Sequence, residues 1–155
     1  MGGAFLLLMQ LAASYEPPLP PSLDQARLAA CSPATLEAAE TCLRGALSPA
    51  DLTIVQDRIP ARRFRPGLDM AIERAWHLRE PGAPLARSMT ALLGLDRPSL
   101  AAGMIISDLQ VRALDPNGIG LDFKAMREAF RINPPGPEEP HVSETKATQE
   151  KTHAN

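Results

Sequence analysis

Apolar residues recur at three- and four-residue intervals along most of the chain, and no stretch sustains period-two alternation. The pattern predicts an all-α protein, a compact bundle of about six or seven short helices with disordered flanks. Residues 23–30 make a first short helix with Ser22 as its cap. Either Ser32-Pro33 or Thr35 opens a second, with Leu36, Ala39 and Leu43 on one stripe and Gly45 near its end. Ser48-Pro49-Ala50-Asp51 starts a third, carrying Leu52 and Val55, with Ile59 continuing the stripe until Pro60. Residues 60–66 read as a basic connector. Gly67 then opens a helix in which Leu68, Ile72, Ala75 and Trp76 share a face, broken at Pro81-Gly82.

The next helix runs from Pro84 through Leu85, Met89, Leu92 and Leu93 to Gly94, a natural residue just past a helix end. Asp96-Arg97-Pro98 begins the longest apolar helix, with Leu100, Met104, Ile105 and Leu109 facing inward. Asp115-Pro116-Asn117-Gly118 has turn chemistry. Asp122 caps a last helix with Phe123, Met126 and Phe130 on one face.

Composition changes the picture at both ends. Of 155 residues 45% are hydrophobic but only 4% aromatic, so the core is built from Leu, Ala, Ile and Met. The 16 prolines cluster at Pro17, Pro18, Pro20 and Pro21 and at Pro134, Pro135, Pro137 and Pro140. The expected organisation is a signal-peptide-like segment at 1–14, a Pro-rich linker at 15–22, a helical domain at 23–132 and a disordered tail at 133–155. The tail holds one Val and no Leu, Ile, Phe, Trp or Tyr after Asn133.

Ala4 to Ala13 reads AFLLLMQLAA. A membrane-spanning helix needs about twenty apolar residues, so this run has the size of a signal-peptide core instead. Ala12 and Ser14 supply small residues for cleavage, although no Lys or Arg precedes the run and Met1 need not be the true start. The alternative is a buried N-terminal helix. Export predicts a periplasmic or secreted protein that meets a membrane only through this segment, before cleavage.

Cys31 and Cys42 are the two cysteines. On one continuous helix from Pro33 their Cα atoms would stand about 15 Å apart, beyond the roughly 7 Å that a disulfide spans. A helix starting after Thr35 lets residues 31–34 fold back and makes a bridge feasible. The expectation is two reduced, partly buried thiols.

Several motifs fall in order along residues 35–121: Thr35-Leu36-Glu37-Ala38-Ala39, Leu47-Ser48-Pro49-Ala50-Asp51, Phe64, Gly67-Leu68 and Ile72-Glu73-Arg74-Ala75-Trp76-His77-Leu78. Pro98, Ile105-Ile106 and Asn117-Gly118 complete the pattern. On these residues the chain resembles a family of small, often exported bacterial helical domains of unknown function. Glu73-Arg74 stands where the family has Arg-Asn. The resemblance implies a helical fold and export, and it brings no activity.

Candidate chemistry is sparse. Residues 115–123 look briefly like a calcium loop, but with Gly118 at the sixth position the first ligand falls on Ala113 and the twelfth on Lys124. With His77, His141 and His153 the only imidazoles, no metal cluster is expected, and no cofactor. Ser143-Glu-Thr-Lys146 matches a catalytic S-x-x-K only superficially, inside the tail. Arg58, Arg62, Arg63 and Arg65 surround Phe64, a patch suited to phosphates or equally to a solvated loop paired with Asp57 and Asp69. The net charge of −2 argues against nucleic acid.

The favoured expectation is an exported, non-enzymatic helical domain that binds a protein partner through Arg62, Arg63, an exposed Phe64, Arg65, Arg74 and His77. Two alternatives stand beside it. One is a small hydrolase-type enzyme using His77 with a nearby carboxylate such as Glu73 or Asp69. The other is an anion-binding module using Arg58, Arg62, Arg63 and Arg65. Oligomeric state is left open.

Overall fold

A computed structural model describes residues 15–115 and 117–138. The expected signal segment and residues 139–155 of the expected tail lie outside these. Among the described residues there are eight helices and no strands: α1 (Gln25–Ala30), α2 (Leu36–Gly45), α3 (Pro49–Gln56), α4 (Arg58–Ala61), α5 (Arg65–Ala75), α6 (Pro84–Leu93), α7 (Pro98–Leu114) and α8 (Phe123–Ile132).

Helix α7 is the axis of the bundle, with α2, α3, α5 and α6 packed against it. Its sequence explains this. Small residues Ala101, Ala102 and Gly103 let neighbours approach, and Ile105, Ile106 and Leu109 are fully covered. Helix α1 lies on α5 and α2, while α8 docks on α6. The core runs through Leu28, Leu43, Val55, Leu68, Ile72, Leu85, Met89 and Leu93. Burying aliphatic side chains of this size contributes about 1.5–3 kcal/mol each.

Several helix ends form as their residues dictate. Thr35 accepts the Ala38 amide hydrogen bond and caps α2. Ser48 accepts that of Asp51 at α3, with Pro49 in the first turn, and Asp122 that of Ala125 at α8. Gly94 closes α6 with φ 74, a left-handed conformation that glycine adopts without steric cost.

Three expectations are corrected. Asp24, not Ser22, caps α1. Ser22 instead joins two segments: its hydroxyl accepts from Ser48 N at 2.9 Å, and its own amide donates to Asp51 Oδ2 at 2.7 Å. The third helix stops at Gln56, because Asp57 turns extended and its carboxylate accepts from Ile59 N, starting α4. Pro60 therefore lies inside a helical turn rather than ending a helix. It sits among the first residues of α4, whose amides have no partner within the helix in any case. Ile59 leaves the apolar stripe and is 79% exposed. Finally, Cys31 and Cys42 form a disulfide with Cα atoms 6.0 Å apart. Capping by Thr35 delays α2 until Leu36, so residues 31–34 run outside the helix and bring Cys31 back beside it.

The Pro-rich stretch before α1 packs on the bundle. A Cβ at Gly67 would collide with the carbonyl oxygen of Pro18 and crowd that of Pro17, so glycine lets this segment lie against the start of α5. Pro20 is buried. Residues beyond α8 turn back as well: Arg97 donates to the carbonyls of Gly136 and Pro135, and Glu138 accepts from Ser99 N at 3.1 Å.

Candidate binding groove

The sequence from Asp57 to Pro66 packs a short helix and the first turn of α5 across the C-terminal end of α7. Between them lies a cavity of about 720 Å³, bordered by Arg58, Ile59, Arg62, Pro66, Gln110 and Leu114. Two of its lining residues are large aliphatics left open to solvent, Ile59 at 79% and Leu114 at 75% exposure. Arg58 and Arg62 are exposed, and among the described residues neither enters an ion pair. Asp57 is the one carboxylate in the lining, and its side chain caps α4.

Beneath the arginines the wall is tied down. The Arg65 guanidinium reaches into α7, donating to the Gly103 carbonyl and to Ser107 Oγ at 2.9 Å, with Gln110 Oε1 at 3.5 Å. Gln110 in turn donates to the Val55 carbonyl at 2.8 Å, fixing α3 to α7. Asp69 lies 3.4 Å from Arg65 Nε. Burial pushes the Asp69 carboxyl up to about 6, and the neighbouring guanidinium only partly opposes this. Arg65 is thus a brace between α5 and α7, not a free cation.

The residues singled out in the sequence divide sharply. Arg62 faces the groove. Arg63 is exposed and stacks its guanidinium 4.3 Å from the Phe64 ring centroid. Phe64, expected on the surface, is 4% exposed and belongs to the core: it occupies the N-cap of α5, where its ring turns inward beside Leu68. Arg74 is exposed on α5, and the groove lining does not include it.

His77 lies past the end of α5 rather than on it, with φ 53. Trp76 is the C-cap, and Leu78 N donates to Glu73 O at 3.1 Å, the six-to-one bond of a left-handed helix terminus. His77 fills the position usually given to glycine, which turns its ring to solvent. Its Nδ1 is 3.0 Å from Glu80 Oε1, and both side chains are about two-thirds exposed. Glu73 is held instead by Arg79 at 2.9 Å, and Asp69 by Arg65. The carboxylate that the structure sets beside His77 is Glu80.

Two features were not anticipated from sequence. One is the exposure of Ile59, which the periodicity places on an apolar stripe, together with that of Leu114 at the end of α7. The other is a buried group on the opposite side of α7, where Glu40, Asp108 and Arg112 meet. Sixty-eight positions separate Glu40 from Asp108, and no local signal links them.

By fold the chain is an all-helical protein. No protein family, curated protein or solved structure matches it.

Proposed function

We propose that this chain is an exported, non-enzymatic helical domain that binds a protein partner in the groove between α4, α5 and the end of α7. The observation that carries this reading is the gathering around one cavity of exposed aliphatics and of cations that enter no ion pair among the described residues. Arg58 and Arg62 complement carboxylates, while Ile59 and Leu114 offer apolar area whose removal from water contributes about 25 cal/mol per Å². The matching partner segment is acidic and carries aliphatic or aromatic anchors. Export draws support from the apolar run at 4–13 and from the disulfide, since such bonds persist mainly in oxidising compartments. The resemblance to exported helical domains, resting on its motifs alone, points the same way. The solvent-facing His77–Glu80 pair lacks the enclosure that nucleophilic or general-base chemistry needs, which favours binding over catalysis.

A photoreactive benzoylphenylalanine in place of Leu114, in cells that naturally produce the protein, tests this. The expected cross-link is to a protein segment of net negative charge with apolar anchors, and Arg58→Glu with Arg62→Glu removes it. Cross-links confined to lipid, nucleic acid or a second copy of this chain contradict the proposal, as does a cross-link that survives the charge reversal.

A further inference from the structure

On the far side of α7, the 5%-exposed Glu40 of α2 meets the fully covered Asp108 of α7. Both carboxyls lie against a single guanidinium in a site closed to water, so a second negative charge there has no matching cation and the pair keeps one proton between them. Arg112, one turn further along α7, is the one guanidinium among the described residues placed directly against both, at 2.7 Å from Asp108 Oδ2 and 3.6 Å from Glu40 Oε1. Arg44 adds a more distant positive charge from α2, and Glu37 of α2 acts on Arg112. Glu40 Oε1 has no hydrogen-bond partner among the described residues.

The same group holds the connection from α7 to α8. Asp108 Oδ1 accepts from Leu121 N, and Arg112 Nη1 donates to the Gly118 carbonyl at 2.9 Å. Asp115, the other ionisable residue of that turn before Asp122, is occupied with the amides of Asn117 and Ile119. Gly120 lies so close over Asp108 that a Cβ there would collide with Oδ1. Beyond this tie α8 is lightly held. None of its residues is buried: it rests on partly covered Phe123, Met126 and Phe130 and on a bond from Arg127 to the Leu92 carbonyl, with the chain beyond it tied at residues 135–138 to Arg97 and Ser99.

We infer that Glu40, Asp108 and Arg112 form a proton-held latch, and that loss of the shared proton loosens the 117–121 connection and frees α8 from α6. Burial and the adjacent Asp108 carboxylate push the Glu40 carboxyl up to about 8, while Asp108 stays below its usual range despite its burial, held there by hydrogen bonds from Glu40, Arg112 and the Leu121 amide. Below that point the pair carries one negative charge, matched by Arg112. Above it two buried carboxylates face one guanidinium, and the repulsion acts on the atom that holds Leu121. Helix α8 responds first because elements with few buried contacts open at the lowest free energy.

Amide-exchange protection factors of the full chain at about pH 6 and about pH 9, corrected for intrinsic rates, test the latch. Protection of residues 121–132 should fall about tenfold or more at the higher pH, with that of α5 and α7 falling much less. Glu40→Gln should remove the difference. A drop in α8 no larger than that in α5 overturns the inference, and so does an unchanged drop in Glu40→Gln. Should that variant not fold, the carboxyl carbon shifts of the unaltered protein decide. A step near pH 8 from Glu40 supports the latch, and titration of both carboxyls below about pH 6 overturns it.

Discussion

The indole N–H of Trp76 donates to the main-chain carbonyl of Leu28 at 3.1 Å, joining the C-cap of α5 to α1 across 48 residues. The ring is 4% exposed, so the bond is made within the core and leaves neither polar group stranded. Trp76→Ala should lower stability by about 3–5 kcal/mol through the cavity it opens. Trp76→Phe should cost less, on the order of 0.5–1.5 kcal/mol for the lost hydrogen bond, because the Leu28 carbonyl still accepts from the Cys31 amide. Denaturant melts of the two variants read the difference. A Trp76→Ala protein with an unaltered midpoint would show that the ring is not part of the core.

The disulfide makes a second, separable prediction. It closes a loop with a sequence separation of 11. Loop-closure entropy for that length corresponds to about 2–3 kcal/mol. Cys31→Ser with Cys42→Ser should lose stability of that order and match unaltered protein held in reductant. If reductant leaves the unaltered protein's melting midpoint unmoved, the bond contributes nothing to folding.

Much of the fold was legible in the sequence, and the failures have a common physical origin. Thr35, Ser48, Asp122 and Gly94 were readable because capping depends on a few neighbouring atoms. The stretch from Asp57 to Pro66 was not. Four residues of helix are too few to show a period, and Pro60 reads as a stop wherever its place within a turn is unknown. Phe64 and Arg65 were assigned to the surface because arginines surround them, whereas the tertiary fold turns the ring into the core and the guanidinium onto α7. Of the candidate site, Arg58 and Arg62 were visible as charges. The cavity beside them depends on Leu114, about fifty residues away, and on no local pattern.

Stability should fall as pH rises from mildly acidic to alkaline. Glu40 and Asp69 have folded values of about 8 and about 6, above their ordinary 4.5 and 3.8. Over that interval the folded state keeps protons that the unfolded chain has released. Their contribution is complete below about pH 4 and is lost as pH climbs through 6 and then 8. Asp108, lowered by its partners, acts oppositely and loses its contribution only as pH falls below the usual aspartate range. Thermal melts should therefore show a maximum near pH 4–5 and a decline toward pH 9, flattened by Asp69→Asn together with Glu40→Gln. A melting temperature rising steadily from pH 5 to pH 8 contradicts this assignment of protons.

In the proposed groove the exposed Arg58 and Arg62 serve recognition, while Arg65 and Gln110 serve the fold. The direct measurement is calorimetric titration of the partner segment captured at Leu114, made as a peptide, into the unaltered protein and into Arg58→Ala with Arg62→Ala. Binding should weaken by about tenfold or more, equivalent to about 1.4 kcal/mol, with the melting curve displaced by less than about 0.5 kcal/mol, as for exposed side chains elsewhere. Affinity for the unaltered protein should also fall as salt is raised, because the contacts are between exposed charges. Equal affinity of the two proteins, at any salt concentration, would contradict the account.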